Sequence, residues 1–425
     1  MKNIPGLLIA DKNGRISICE DLAASSMKNG CFYKIEAGDL IKLPQGSRLF
    51  MLPGRAAIGY DPVSGFLGVK NSFAVAAFLR PGYAVTFSPS YREMPGIRPL
   101  PLFSYAACAL YKGELYATGM LVDKDRRHDQ RFIDIDTVAT NIRKLKKIFP
   151  SNRLIPHLEQ CALVYGCANA QNFFLSRYEA PLPTSPACNA RCAGCISFQA
   201  ASKLCASQPR IKFIPSPDEL AQVALFHIFN AKNPIVSFGQ GCEGEPLLAG
   251  NIIESAINLI RNVTAKGTIN INTNGSKPMT LARLFDCGLD SARISLNSAR
   301  PAYYNRYYRP SGYKFNDVMN SIKNGKRKGK FISINYLTMP GFTDSKNELE
   351  ALKELIATYK IDMIQWRNLN YDPLLYFKKL KVKAYSKGLV GIDNSIEILK
   401  KKFPRLRIGY FNPAVASRRQ RHPWK

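Results

Sequence analysis

Cys188, Cys192 and Cys195 fall within the eight residues "CNARCAGC". Spacers of three and two residues let thiolates from one short loop converge on one inorganic core. A structural zinc takes four nitrogen or sulfur ligands in a closed tetrahedron. The next cysteine, Cys205, lies ten residues on, and no histidine is close. An ordinary electron-transfer cubane also takes four cysteines. Three thiols on a four-iron cluster leave one iron open, and an open metal position is where a substrate or cofactor binds. A zinc loop is the competing reading.

Other polar groups recur at intervals after this loop. "GQGCEGEPLL" (239–248) carries Gly244, Glu245 and Pro246. A carboxylate or a freed backbone carbonyl there would accept a hydrogen bond from a ligand, and glycines allow close backbone approach. The bland alternative is a helix N-terminal turn with Glu-Pro in its first positions. "NTNG" supplies Asn272, Thr273 and Asn274, and "SLNS" supplies Ser295, Asn297 and Ser298. Period-2 alternation puts Asn272 with Asn274 on one face, and Ser295 with Asn297. Short, neutral hydrogen-bonding side chains on rigid elements suit a polar ligand; turn residues at strand ends are the alternative. Asn335 and Tyr336 follow, then Trp366, Arg367 and Asn368. A buried guanidinium calls for an anion, so Arg367 implies a carboxylate or phosphate ligand, or else an internal salt bridge.

Strands alternating with helices must position these groups. Apolar β-type runs occur at 234–240, 268–274, 291–297, 331–339 and 362–369. Helical periods lie between them at 217–229, 247–263, 279–287, 315–328 and 345–359. Such alternation implies right-handed βαβ units, a parallel sheet, and closure as a complete or partial barrel. Ligands then bind at the C-terminal ends of the strands, where the polar residues fall. Residues 1–150 read instead as β-rich, with short apolar runs between Gly- and Pro-bearing turns and a helix at 136–149. The expected organisation is a β-rich accessory or substrate domain (1–150), a helical linker (151–180), an α/β barrel (181–400) and a basic tail (401–425).

Taken together, the Cx3Cx2C loop, the Gly-Glu-Pro segment and the strand-end stations resemble the radical S-adenosylmethionine (SAM) superfamily over about residues 180–375. The resemblance implies a partial (βα)6 barrel and a [4Fe–4S] cluster held by Cys188, Cys192 and Cys195. The cluster's open iron would chelate SAM, whose one-electron cleavage gives methionine and a 5′-deoxyadenosyl radical that abstracts hydrogen from a substrate. Gly244, Glu245 and Pro246 map onto the family's Gly-Gly-Glu-Pro motif near the SAM amino group, with Glu243 in place of the first glycine. Asn272, Asn274, Ser295, Asn297 and Asn335 are the expected contacts to the rest of SAM. The family often has an aromatic residue before the third cysteine, close to the adenine. Here Gly194 stands there, and Phe198 lies beyond the cysteine. The chemistry also implies a reductant of flavodoxin or ferredoxin type. Some members carry an auxiliary cluster, for which Cys161, Cys167, Cys205 and Cys242 are the candidates.

The chain has 425 residues with a net charge of +29, which favours an anionic partner such as nucleic acid or a phosphorylated substrate. A basic, well-solvated surface is the alternative. Basic residues concentrate at 323–330 and 417–425. No apolar run reaches the 18 residues or more of a membrane span, and the N-terminus meets charge too early for a secretory signal, so the cytosol is the expected compartment. The readings carried forward are radical SAM modification of RNA, the same chemistry on a peptide or small metabolite, and a non-catalytic zinc-containing nucleic-acid-binding protein.

Overall fold

The computed structural model describes residues 4–199, 204–383 and 387–414. Between Gly6 and Leu121 the described strands form a nine-stranded and a three-stranded sheet, paired antiparallel. Three helices follow: α1 (Ile135–Ile148), α2 (Leu154–Leu163) and α3 (Ala168–Phe174). Asp134 caps α1, its carboxylate accepting from the Asp136 amide at 3.1 Å.

The remainder is a seven-stranded parallel sheet in sequential order. Its strands are β1 (Arg177–Pro181), β2 (Lys232–Phe238), β3 (Thr268–Thr273), β4 (Ser291–Leu296), β5 (Phe331–Thr338), β6 (Met363–Asn368) and β7 (Arg407–Gly409). Crossover helices include α4 (Pro217–Asn230), α5 (Gly250–Val263), α6 (Pro278–Asp286), α7 (Pro301–Tyr308), α8 (Phe315–Arg327), α9 (Lys346–Tyr359) and α10 (Pro373–Leu380); α11 (Ile392–Lys402) precedes β7. The start of α4 is written in its sequence. Ser216 and Glu219 form a capping box around Pro217 in the first turn. On α5, Ile253, Ile257 and Ile260 are fully buried, each worth about 1.5–3 kcal/mol of burial.

"TININT" shows how a parallel strand serves two faces. Ile269 and Ile271 join the hydrophobic core. Asn270 and Asn272 face the other way, into a polar lumen, where Asn270 Nδ2 donates to Ser237 Oγ (3.1 Å) and to Asn272 Oδ1 (3.0 Å).

Two expected boundaries differ. The helix expected through residue 180 ends at Phe174. Gly166, Ser176 and Tyr178 have positive φ (60°, 51° and 57°), which breaks helical propagation, and Arg177–Pro181 extends into the first barrel strand. The stretch read as the start of the basic tail instead supplies β7, paired parallel to β6. Residues 417–425 lie outside the described residues.

The β-rich domain is locked onto the barrel by polar contacts. Asn368, at the end of β6, accepts from the Val85 amide (2.8 Å) and donates to the Tyr83 carbonyl (2.9 Å). Arg55 and Asp372 form a buried ion pair at 2.8 Å. Lys28 reaches Asp344 at 3.5 Å.

Candidate active site

The cluster loop runs from the end of β1 and docks on the C-terminal end of α7. The amides of Arg191 and Ala193 donate to the carbonyls of Tyr308 and Tyr307, both at 2.9 Å. Gly194 is closely packed there. A Cβ there would lie 2.9 Å from the Tyr307 hydroxyl and 3.3 Å from Tyr371 Cδ2. Those two tyrosines fill the space that an aromatic residue at 194 would need. Phe198 is 49% exposed and packs under Arg210, with the guanidinium 4.9 Å from its ring centre.

Cys188, Cys192 and Cys195 all line a cavity of about 320 Å³ at the C-terminal ends of the strands. Burial pushes the Cys188 thiol up to about 11 and Cys192 well above an ordinary thiol. Burial acts on Cys195 too, but the Ser197 amide and hydroxyl and the Arg210 guanidinium outweigh it, so its pKa falls. Arg210 Nη2 lies 3.5 Å from the Cys195 sulfur, and its Nε donates to Ser197 Oγ at 3.1 Å. A bound cluster ionises such thiols outright.

The Gly-Glu-Pro segment presses against the entry to this loop. The Gly244 amide donates to Ser185 O (2.6 Å) and the Glu245 amide to Ala187 O (2.8 Å). A Cβ at position 244 would sit 1.9 Å from the Ala187 carbonyl oxygen, so only glycine allows this approach. Glu245 does not hold its carboxylate free for an ammonium. Oε2 accepts from the Asn274 amide (2.8 Å), and Oε1 accepts from the Leu247 amide (3.1 Å) and from the Thr273 hydroxyl. Burial pushes its carboxyl up to about 7 against those donors. Glu245 therefore ties the end of β3 to the loop after β2. Glu243 is a second staple. Its carboxylate accepts from the amides of Thr184 (2.8 Å), Ser185 (3.0 Å), Gly239 (2.6 Å) and Gln240 (2.8 Å).

Gly244, Glu245, Asn272, Asn274, Ser295 and Asn335 all line the cavity with the cysteines. Asn272 Nδ2 and Asn335 Oδ1 are buried without a partner, as ligand-binding groups would be. Asn274 is more a brace: its Nδ2 donates to Asn189 Oδ1 in the cluster loop at 2.8 Å. Two expected residues stand apart. Pro246 is buried at the start of a 3-10 turn, Pro246–Ala249. Asn297 turns into the core, donating to the Tyr376 hydroxyl at 3.2 Å, because β4 ends at Leu296 and the alternation ends with it.

The lumen holds charges that the stations did not include. Arg293, Arg367, His128 and Glu179 line the same cavity. Arg293 shares a strand face with Ser295 and could have been read from that alternation; Arg210 and His128 sit in irregular chain and gave no pattern. Arg367 stacks on Tyr410 at 4.1 Å and donates to its carbonyl at 3.3 Å. Among the described residues neither Arg367 nor Arg293 has a carboxylate within 4.0 Å, and Arg293 Nε has no partner. The internal salt bridge weighed for Arg367 is thus absent there. Burial, then Arg367, lowers His128 to about 4, so it is neutral at pH 7. Burial opposes the ionisation of Glu179, and Arg127 and Arg293 overcome it, lowering its pKa.

No curated protein sequence matches the chain. Among solved structures, native anSMEcpe with bound AdoMet aligns at 17% identity and a TM-score of 0.36, over 45% of this chain and 52% of that one. The chain therefore spans about half the length of that structure. Methylornithine synthase (PylB) aligns at 14% identity and a TM-score of 0.39, over 66% of this chain and 77% of that one. Streptococcus suis SuiB bound to S-adenosylmethionine aligns at 15% identity and a TM-score of 0.39, over 65% and 66%. The model of the Radical SAM superfamily matches residues 182–356, from just after β1 to α9. Residues 182–356 thus form a radical SAM domain, and the enzymes of that superfamily work with a [4Fe–4S] cluster and S-adenosylmethionine.

Proposed function

We propose that this protein is a radical SAM enzyme acting on an anionic substrate, with RNA the preferred class. The observation that carries the chemistry is the convergence of three cysteines and the polar strand ends on one cavity. When bound, the cluster and SAM supply one-electron cleavage of SAM to methionine and a 5′-deoxyadenosyl radical. Cys188, Cys192 and Cys195 would hold the cluster, and Arg210 and Ser197 would set the charge around Cys195. Backbone carbonyls of the 239–245 loop, shaped by Glu243 and Glu245, would accept from the SAM amino group. Asn272, Ser295 and Asn335 would take its carboxylate and ribose. Arg293 and Arg367 would neutralise a phosphate or carboxylate of the substrate inside the lumen, where low dielectric strengthens the attraction.

A second cavity of about 1060 Å³ supports access for a large substrate. It is lined by Phe50, Phe78, Phe103 and Tyr105, with Arg48, Arg80 and Arg131, and shares His128 with the lining of the cluster cavity. Aromatic faces among guanidinium groups suit unstacked bases and phosphates. The net charge of +29 agrees with this class. A cytosolic reductant of flavodoxin or ferredoxin type would supply the electron. Among the described residues no helix is long and apolar enough to cross a membrane.

Anaerobic reconstitution tests the chemistry. About four irons per chain and release of 5′-deoxyadenosine under reduction are expected, and Cys192→Ala should abolish both. Zinc without iron would reject the reading. For the substrate, RNA affinity should fall steeply as salt rises, and nucleosides from cells with and without the gene should differ. Salt-insensitive binding, with a change only among peptides or small metabolites, would reassign the substrate.

A further inference from the structure

A second group of metal-ligating side chains lies behind the SAM-side loop. His157 and Cys161 stand one turn apart on α2, and Cys242 comes from the loop after β2, next to Glu243. The ligand atoms of these three residues all lie within 4.8 Å of one another, and no other trio of His, Cys, Asp or Glu among the described residues does so. His157 Nε2 is 3.7 Å from Cys161 Sγ. Cys161 and Cys242 are each 3% exposed. Cys167 is close by, its amide donating to the Cys161 carbonyl at 2.9 Å.

The spacing selects the kind of centre. Ligand bonds of about 2.0–2.3 Å around a tetrahedral zinc put neighbouring donor atoms roughly 3.5–3.8 Å apart. The His157–Cys161 separation matches that edge. The cluster cysteines are not drawn together so tightly, as a polynuclear core requires. Imidazole with thiolates at tetrahedral spacing favours zinc over harder cations. Cys205, which the sequence also offered for a second centre, is exposed and is not in the group.

We propose that His157, Cys161 and Cys242 bind one zinc ion, independent of the cluster. The metal would pin α2 to the loop that carries Glu243 and Glu245, so that the SAM-side backbone is held from behind. Zinc is redox-silent, so no electron passes through the centre, and a solvent oxygen would complete its tetrahedron.

X-ray absorption at the zinc edge on the cluster-loaded wild-type chain reads this site separately from iron. About one zinc per chain is expected, with about two sulfurs and the remainder nitrogen or oxygen in its shell. Cys188→Ala/Cys192→Ala/Cys195→Ala should lose its iron and keep the zinc. Adding Cys242→Ser to that variant should lower zinc to under a tenth per chain. A chain without zinc, a shell without sulfur, or iron remaining in the triple variant would overturn the proposal. If Cys242→Ser does not fold, the zinc-edge shell of the wild-type chain still decides it.

Discussion

The Arg210 guanidinium lies 3.5 Å from the sulfur of Cys195 while its Nε holds Ser197. A positive N–H donor aimed at a ligating sulfur favours the more negative, reduced form of the cluster it serves. Arg210→Ala should therefore lower the reduction potential, on the order of tens of mV. Potentiometric titration followed by electron paramagnetic resonance measures it, and Arg210→Lys should restore part of the shift. An unchanged potential in the alanine variant would remove Arg210 from this role.

Gly194 is boxed in by Tyr307 and Tyr371. Adding one methyl group there overpacks a buried contact, at a cost of about 1–3 kcal/mol. Gly194→Ala should lower the urea midpoint, and Gly194→Ala/Tyr307→Phe should recover part of it by removing the hydroxyl 2.9 Å from the new Cβ. A double variant no better than the single one would show that the hydroxyl is not the obstacle.

Arg55 and Asp372 join the two domains while both are nearly solvent-free. The guanidinium also donates to the carbonyls of Pro53 and Arg98 (2.9 and 2.8 Å), and Asp372 accepts from the Leu100 amide at 3.1 Å. Removing one partner strands the other charge, so Arg55→Met should cost about 3–5 kcal/mol in chemical denaturation. Arg55→Met/Asp372→Asn should cost less than the sum of the two single changes.

His227 is fully buried on α4, and burial lowers its pKa to about 4. The unfolded chain then binds a proton near pH 6.5 that the folded chain refuses. The contribution of neutral His227 is complete above about pH 6.5 and is lost as pH falls towards 4, with a limit of about 3 kcal/mol. Urea midpoints measured from pH 7.5 to 5 should fall, and His227→Leu should flatten that dependence. An equally steep fall in the variant would assign the acid sensitivity to other groups.

The sequence by itself carried the resemblance to the radical SAM superfamily and the strand–helix alternation that frames the candidate site. Three thiols in "CNARCAGC", the Glu-Pro turn and the polar positions along "TININT" and "SARISLN" are local facts. They depend on spacing and on a period of two, so they are legible without knowing what packs against them. Tertiary structure decided which of those side chains are free to bind. Glu245 and Asn274 look like ligands in sequence. In the fold they are staples, because the end of β3 and the cluster loop bring donors and acceptors to them. Asn272 keeps an unpartnered amide in the cavity. The vacancy at Gly194 gained its reason from Tyr307 and Tyr371, more than a hundred residues away in the chain. His157, Cys161 and Cys242 became one group in the same way. A side chain's donors and acceptors are set by its type; whether they are already satisfied depends on segments that only folding brings together.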